Sequence, residues 1–159
     1  MNRVLETMDA RMTIANLMFE YAEAVDRADM ETVGSLFGRG LIDSGGVWHR
    51  GEQAVFELYS STIIFYDQDE QPTDYRRFQC SPRTRHVTTN LHFTFDEAVR
   101  RAEVRSYFTV YQTLAGATTI IAGGRYEDSF EKDAAGWHFA ERRILVENRG
   151  DMSRHLRSG

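Results

Sequence analysis

Hydrophobic residues in the first part of the chain recur with the period of an α-helix. Between about Leu5 and Ala28, apolar side chains fall three or four positions apart and form one stripe: Ile14, Leu17, Met18, Tyr21 and Val25. This pattern predicts a long first helix that buries one face.

Two further helices and a short hairpin are predicted after this first helix. Asp29 stands at the N-cap position of a short helix over Met30 to Phe37, because its carboxylate can accept from the free N–H groups of the first turn. A third helix is expected from Glu52 to about Phe65. Between them, a pair of glycines separates two short extended pieces, Leu41 to Asp43 and Val47 to Arg50.

The second half of the chain has the composition and spacing of β-strands. Runs rich in Val, Ile, Thr, Tyr and Phe predict four strands, separated by short turns: Thr84–Phe95, Ala102–Leu114, Thr118–Glu131 and Trp137–Glu147. Alternation along the first of these strands predicts a polar face of His86, Thr88, Asn90, His92 and Thr94, opposite Val87, Leu91, Phe93 and Phe95. A β-bulge would change this assignment of faces.

Two segments fit neither pattern. Tyr66 to Arg83 contains both prolines and Cys80, and an irregular segment of this length is expected to be functional or mobile. Residues 150–159 are predicted to form a frayed polar tail. We therefore expect a single domain over 1–159, with a core at about 8–147.

The order of these elements predicts the fold class. Three helices followed by a meander of strands indicate an α+β fold, since an alternating βαβ order is absent from the sequence. The helices must cover one face of the sheet, so a cavity between the first helix and the sheet is the expected ligand site.

Composition and charge narrow the function classes. The chain has 159 residues, a net charge of −5 and one cysteine, which excludes an intramolecular disulfide framework and a cysteine-based zinc site. An acidic chain with scattered basic pairs is a poor nucleic-acid binder. No apolar run approaches the roughly 20 residues that cross a bilayer, and no apolar leader begins the chain, so we expect a cytoplasmic protein without membrane or nucleic-acid partners.

Asp26 and His86 are the residues best suited to chemistry. Asp26 follows the apolar stripe of the first helix at its border, where a carboxylate either meets solvent or points into the cavity mouth. His86 opens the first long strand, on a face that is either solvated or turned toward a polar-lined pocket. The residues by themselves leave both alternatives open.

Three stretches of the sequence, in this order and spacing, carry a resemblance to a known family: Tyr21–Asp26 with Asp29 after it, Arg85–Asn90, and Gly123–Phe130 leading to Gly136–Phe139. Together they resemble the SnoaL-like branch of the nuclear-transport-factor-two-like superfamily. The resemblance covers residues 8–147. It implies an α+β barrel, also called cystatin-like, in which a curved, mostly antiparallel sheet wraps round N-terminal helices and forms a conical cavity.

The resemblance also implies a chemistry. Scytalone dehydratase and hexachlorocyclohexane dehydrochlorinase belong to this branch, and they use an Asp–His dyad that corresponds to Asp26 and His86. In such a dyad the carboxylate fixes the tautomer of the imidazole and makes its other nitrogen a better base. The implied function is a lyase or isomerase, of dehydratase or cyclase type, acting without cofactor or metal on a small, largely apolar substrate such as a polyketide, steroid or aromatic compound.

Four further residues are candidates for substrate binding. Tyr126 occupies a strand position where the family often places a pocket-lining polar residue, and a packing role is the alternative. Asn90 follows His86 in the family-like spacing, Tyr21 lies on the apolar stripe, and Trp48 resembles a pocket-wall aromatic residue. Core or structural roles remain alternatives for all of them. His155 has no partner that the sequence identifies.

Two other functions are compatible with the same resemblance. A non-catalytic beta-type subunit of a ring-hydroxylating dioxygenase shares this fold, although such a subunit does not need an Asp–His pair. A ligand-binding module with an inactive site is the second alternative. The apolar side chains of the long sheet, such as Phe108 and Tyr111, need cover, so a homo-oligomer, either a dimer or a trimer, is expected.

Overall fold

The computed structural model describes residues 2–157. Its helices are α1 (Arg3–Asp26), α2 (Met30–Leu36) and α3 (Gly51–Thr62). Its strands are β1 (Leu41–Ser44), β2 (Val47–Arg50), β3 (Phe65–Tyr66), β4 (Pro72–Thr73), β5 (Thr84–Phe95), β6 (Arg101–Leu114), β7 (Ala117–Asp133) and β8 (Gly136–Arg149). The predicted helices and the four long strands are present, with ends that differ by a few residues.

Within the described residues, six strands form one curved sheet in the order β2-β1-β8-β7-β6-β5. Strands β5 to β8 pair antiparallel in succession, as a meander requires. Strand β1 then pairs parallel with β8, with Leu41 beside Glu141, and β2 pairs antiparallel with β1. The α+β class with a mostly antiparallel sheet is therefore confirmed, and the two short extended pieces lengthen the same sheet.

Helix α1 lies across the concave face of this sheet and buries the predicted stripe. Ile14, Met18, Tyr21 and Val25 are each at most 2% exposed. Burying a side chain of this size stabilises the fold by about 1.5–3 kcal/mol. The N-cap prediction is also confirmed, because the backbone N–H of Thr32 donates to the Asp29 carboxylate at 3.2 Å.

A β-bulge divides β5 and corrects the predicted faces of this strand. The pairing with β6 shifts its register between Thr89 and His92, and Asn90 adopts a left-handed backbone conformation with φ of 56°. Because the extra residue reverses the alternation, Thr84, His86 and Thr88 face inward before the bulge, and Leu91, Phe93 and Phe95 face inward after it. Val87, predicted to share a face with Leu91, is instead exposed.

The prediction of a frayed tail over residues 150–159 is wrong for residues 150–157, and residues 158–159 lie outside the described part of the chain. Arg149 ends β8, and the segment after it packs back onto the domain, where His155 is buried. A short hydrophilic segment shows no periodicity that would reveal this burial, because its contacts are made with distant parts of the chain. The segment 66–83 is irregular, as predicted, apart from the β3–β4 pair.

The outer face of the sheet carries exposed apolar side chains. Phe108, one of the two residues expected to need cover, is buried inside the domain, whereas Tyr107 and Ile120 are each 57% exposed. Homo-oligomer formation therefore stays a prediction. In the described part of the chain, no helix combines the length and the apolar character needed to cross a membrane.

Candidate active site

Asp26 is the last residue of α1, and the end of this helix points its side chain at β5. The residue is 9% exposed, although it lies at the border of the apolar stripe. Thr84 donates its hydroxyl to one oxygen of the Asp26 carboxylate at 2.8 Å, and the backbone N–H of His86 donates to the other oxygen at 2.8 Å. The two bonds hold the plane of the carboxylate.

The imidazole of His86 completes this arrangement. Its Nδ1 atom lies 2.6 Å from Oδ1 of Asp26, and its side chain is 9% exposed. Because an ionised carboxylate only accepts hydrogen bonds, Nδ1 carries the proton and donates it, which leaves Nε2 as the basic nitrogen.

The environment keeps Asp26 ionised. Burial by itself raises the pKa of this carboxyl, but the hydrogen bonds and the charge of His86, together with the hydroxyl of Thr84, bring the pKa below its ordinary value of 3.8. The carboxylate can therefore orient His86 and stabilise the imidazolium that forms when Nε2 takes a proton.

His86 lies between two spaces. On one side is an open cleft of about 640 Å³, bordered by Phe19, Arg27 and Arg85. On the other side is an inner cavity of about 140 Å³, whose walls are largely apolar: Val25, Leu58, Phe108, Val110, Ile144 and Met152. The dyad thus sits beside a hydrophobic cavity, as the two enzymes named above led us to expect.

Three tyrosines close one side of the inner cavity. Tyr21, Tyr59 and Tyr126 are buried, and the hydroxyls of Tyr21 and Tyr59 hydrogen-bond each other. Burial raises the pKa of all three phenols above the ordinary value of 10.0. They remain neutral near pH 7, so they can donate or accept a hydrogen bond but do not act as anionic bases.

A buried ion pair supports two of these tyrosines. Arg142 donates to both carboxylate oxygens of Asp128 at 2.8 and 2.7 Å, and both side chains are fully buried. The guanidinium lies 4.4 Å from the ring centre of Tyr21 and 3.9 Å from that of Tyr126. Burial lowers the pKa of Arg142, but the pairing with Asp128 outweighs it and raises this pKa above its ordinary value.

The structure separates the other predicted site residues into two groups. Tyr21 and Tyr126 line the inner cavity together with His86. Asn90 lies instead at the exposed bulge of β5, where it borders a different groove, and Trp48 is 41% exposed on β2 with Arg143 over its ring. The positions of Asn90 and Trp48 differ from those expected because the bulge and the edge strand turn them outward.

Sequence reasoning missed His155 and Tyr59, which both line the inner cavity. Tyr59 lies on the predicted third helix, one position after Leu58, and helical periodicity does not distinguish a cavity-lining residue from a core residue. His155 has no comparable signal. Among residues 2–157, no group of three His, Cys, Asp or Glu side chains is arranged to hold a metal ion.

Solved structures with the same fold align over nearly the whole chain. Rv3472 of Mycobacterium tuberculosis, a protein of unknown function, is 24% identical with a TM-score of 0.72, covering 93% of this chain and 78% of that one. A scytalone dehydratase-like protein of Novosphingobium aromaticivorans is 19% identical, with a TM-score of 0.69 and coverages of 93% and 91%. Hexachlorocyclohexane dehydrochlorinase LinA-type3 of Novosphingobium barchaimii is 15% identical, with a TM-score of 0.68 and coverages of 92% and 92%.

Identities this low show a common fold and no more. No curated protein matches the chain in sequence. The family model of the SnoaL-like domain, in contrast, matches residues 6–143, which include both members of the Asp26–His86 dyad. The fold around this dyad is the cystatin-like, nuclear-transport-factor-two-like fold, and the chain belongs to the SnoaL-like domain family.

Proposed function

We propose that this protein is a cofactor-independent lyase or isomerase in which His86 is the general base and Asp26 orients it. The observation that carries the proposal is the 2.6 Å contact between His86 Nδ1 and Asp26 Oδ1 at the wall of an apolar cavity. General acid–base catalysis of this kind contributes about 10²- to 10⁴-fold in rate.

The chemistry follows from the free Nε2 of His86. This nitrogen removes a proton from a substrate carbon, and the electrons of the C–H bond form a new double bond. In an elimination, the leaving group departs with its bonding electrons. In an isomerisation, the imidazolium returns the proton to another atom of the substrate. Asp26 stabilises the imidazolium in both cases.

The size of the inner cavity limits the substrate. An engineered protein cavity of about 150 Å³ holds one benzene molecule. The inner cavity of about 140 Å³ therefore matches a single ring. A steroid with four rings exceeds this volume, so among the expected substrate classes we propose a single-ring compound, or one ring of a compound that extends into the open cleft.

The test is proton exchange at carbon, which reports the base without requiring a leaving group. In D₂O, the wild-type protein should accelerate the exchange of the α-protons of cyclohexanone, as measured by NMR. His86→Ala should reduce the enzymatic rate by about 10²- to 10⁴-fold. Halide release from hexachlorocyclohexane, followed in parallel, tests the elimination that the dehydrochlorinase neighbour's name suggests.

His138→Ala is the matched control, because His138 is a partly buried histidine on β8 that does not line the cavity. This variant should exchange protons at the wild-type rate. Equal rates for wild type and His86→Ala would reject the proposal and favour a ligand-binding module. Co-purification with a large oxygenase subunit, without activity of the chain alone, would favour the beta-type subunit.

A further inference from the structure

The segment after β8 closes the inner cavity beside the C-terminal end of α3. Backbone bonds join it to the chain that follows α3, because Ile64 N–H donates to the carbonyl of His155 and Arg157 N–H donates to the carbonyl of Thr62, both at 2.8 Å. Met152, His155 and Leu156 of this segment all line the cavity.

A second set of bonds fixes the residue just before His155. The carbonyl of Arg154 accepts from the hydroxyl of Tyr66 at 2.6 Å and from the side-chain amide of Gln112 at 3.1 Å. His155 is therefore held on both sides by elements that are far away in the sequence. The backbone of His155 is thus anchored, and the residue lines the cavity.

The imidazole of His155 is buried without a protein partner for one of its nitrogens. The residue is 7% exposed, and Nδ1 is buried with no hydrogen-bond partner among residues 2–157. A buried polar atom without a partner is costly. Seven buried side-chain atoms lack a partner in the described residues, and among them only His155 Nδ1 belongs to a residue that lines the inner cavity. An apolar side chain would fill this wall of the cavity without that cost.

His155 and His86 face the same small space. Their ring centres are 6.5 Å apart, so one small molecule can contact both rings. Burial is the main cause that lowers the pKa of His155 from 6.5 to about 4, and the neighbouring His86 lowers it further. Asp26 opposes this change. His155 is thus neutral near pH 7 and can offer either a hydrogen-bond donor or an acceptor.

We infer that His155 is a substrate-binding residue whose imidazole hydrogen-bonds the hydroxyl or carbonyl oxygen of a single-ring compound, with the ring lying against His86 in the inner cavity. This inference rests on the proposed function for the role of His86, and it narrows the substrate class to cyclic ketones and their enols. In this arrangement, His86 contacts a ring carbon of the substrate and His155 binds its oxygen.

This arrangement suits proton removal next to a carbonyl. His86 Nε2 takes the proton from the carbon beside the C=O, the C–H electrons form a C=C bond, and negative charge moves to the oxygen. A neutral imidazole that donates to this oxygen stabilises the charge as it develops. Return of the proton to the oxygen gives the enol, so a keto–enol isomerisation is completed without any further reactant.

The test compares phenol with toluene, which are similar in shape and differ in having a hydroxyl or a methyl group on the ring. Their dissociation constants are measured by calorimetry for the wild type, His155→Phe and His155→Gln. His155→Phe keeps a ring and removes both nitrogens, so it should weaken phenol binding relative to toluene by about tenfold, the effect of one hydrogen bond. The ratio of the two dissociation constants is compared between variants, because the different hydration of phenol and toluene is the same for every variant and cancels. His155→Gln should keep most of the preference for phenol over toluene, because the glutamine amide can still hydrogen-bond the hydroxyl.

His138→Phe is the control, because it makes the same exchange away from the cavity, and it should leave the ratio unchanged. A second readout needs no variant: in protein labelled with ¹⁵N-histidine, phenol should shift the ring nitrogen signals of His155 much more than toluene does. This readout decides the question if the variants do not fold.

The inference is overturned if the ratio is the same in folded His155→Phe and wild type, if phenol leaves the His155 ring signals in place, or if neither probe binds. Binding is measured without turnover, so its result is separate from that of the proposed function. Exchange that depends on His86, together with an unchanged binding ratio, would remove the role of His155 alone. A changed ratio without such exchange would remove only the catalytic proposal.

Discussion

His86 donates to Asp26 twice, through its ring Nδ1–H to one carboxylate oxygen at 2.6 Å and through its backbone N–H to the other at 2.8 Å. Asp26 ends α1 and His86 is the third residue of β5, so the same two bonds also join α1 to the sheet. The carboxylate cannot turn without breaking one of them. The dyad is consequently positioned by the fold and not by the flexibility of a loop.

Thr84→Val should weaken this arrangement without removing either member of the dyad. The hydroxyl of Thr84 donates to Asp26 at 2.8 Å in a buried site, and a hydrogen bond to a charged group contributes about 1.5–3 kcal/mol. We expect the free energy of unfolding to fall by this amount, measured by urea denaturation. We also expect the rate of proton exchange to fall by up to about 10²-fold, because His86 is less well oriented.

Thr88→Val is the matched control for this substitution. Thr88 faces inward on the same strand and borders the cleft, but its hydroxyl makes no hydrogen bond with Asp26 in the described part of the chain. A similar loss of rate in both variants would show that the effect comes from the cleft and not from the carboxylate.

Acid should destabilise the protein partly through His155. Its pKa is about 4 in the folded protein and near the ordinary 6.5 in the unfolded chain, so between these values the unfolded chain binds more protons. The contribution of neutral His155 is complete above about pH 6.5 and is lost progressively as the pH falls toward 4. The difference of the two pKa values corresponds to about 3 kcal/mol.

The measurement is the free energy of unfolding of wild type and His155→Phe at several pH values from 7 to 4. Acid groups away from His155, such as Asp29, affect both proteins alike, so the difference between the curves reports His155 and its coupling to the Asp26–His86 pair. The advantage of the Phe variant over the wild type should grow with falling pH. Parallel curves would mean that His155 takes up its proton equally in both states.

Asp128→Asn should be strongly destabilising, because it leaves the fully buried guanidinium of Arg142 without a counter-charge. Removing one partner of a buried ion pair costs about 3–5 kcal/mol. Replacing both partners, by Asp128→Leu with Arg142→Met, should cost less than the single change, since no buried charge remains. Denaturant unfolding measures both effects.

An exposed ion pair on the same two strands serves as the comparison. Arg125 and Glu147 are 2.7 Å apart, but their side chains are 43% and 50% exposed. Glu147→Gln should change the stability by less than about 1 kcal/mol, because water screens the charges. Equal losses at the two pairs would contradict the assignment of Arg142 and Asp128 as a structural support for the tyrosines.

Gly124→Ala should disturb the cavity wall through the β7–β8 pairing. A Cβ atom at this position would lie 2.0 Å from the carbonyl oxygen of Leu145, so the two strands must move apart. Overpacking of this kind costs about 1–3 kcal/mol. Gly38→Ala, whose Cβ would lie 3.3 Å from its nearest neighbour, should have a smaller effect on the thermal midpoint.

The sequence predicted the elements of this protein well, because each one repeats its own pattern. A 3.6-residue period identified α1, and strand composition identified β5 to β8, since these signals lie within one segment. The faces of β5 were predicted along the whole strand, but the prediction is correct only before the bulge at Asn90. The bulge depends on how β5 pairs with β6, and the sequence of β5 alone does not determine that pairing.

The candidate site could be predicted in part. Residues and spacing identified Asp26 and His86 as candidates, and the resemblance paired them, but the residues alone left each side chain equally able to face solvent. Sixty positions separate the two, and only the packing of α1 on the sheet brings them within hydrogen-bond distance.

By itself, the sequence determined the helices, the long strands and the residues able to carry acid–base chemistry, because these depend on local periodicity and side-chain type. The tertiary structure alone decided that the cavity is small, that the chain after Arg149 folds back over it, and that a second histidine faces His86. Such features arise from contacts between segments far apart in the chain. A polar segment without periodicity has no local sequence pattern that predicts these contacts.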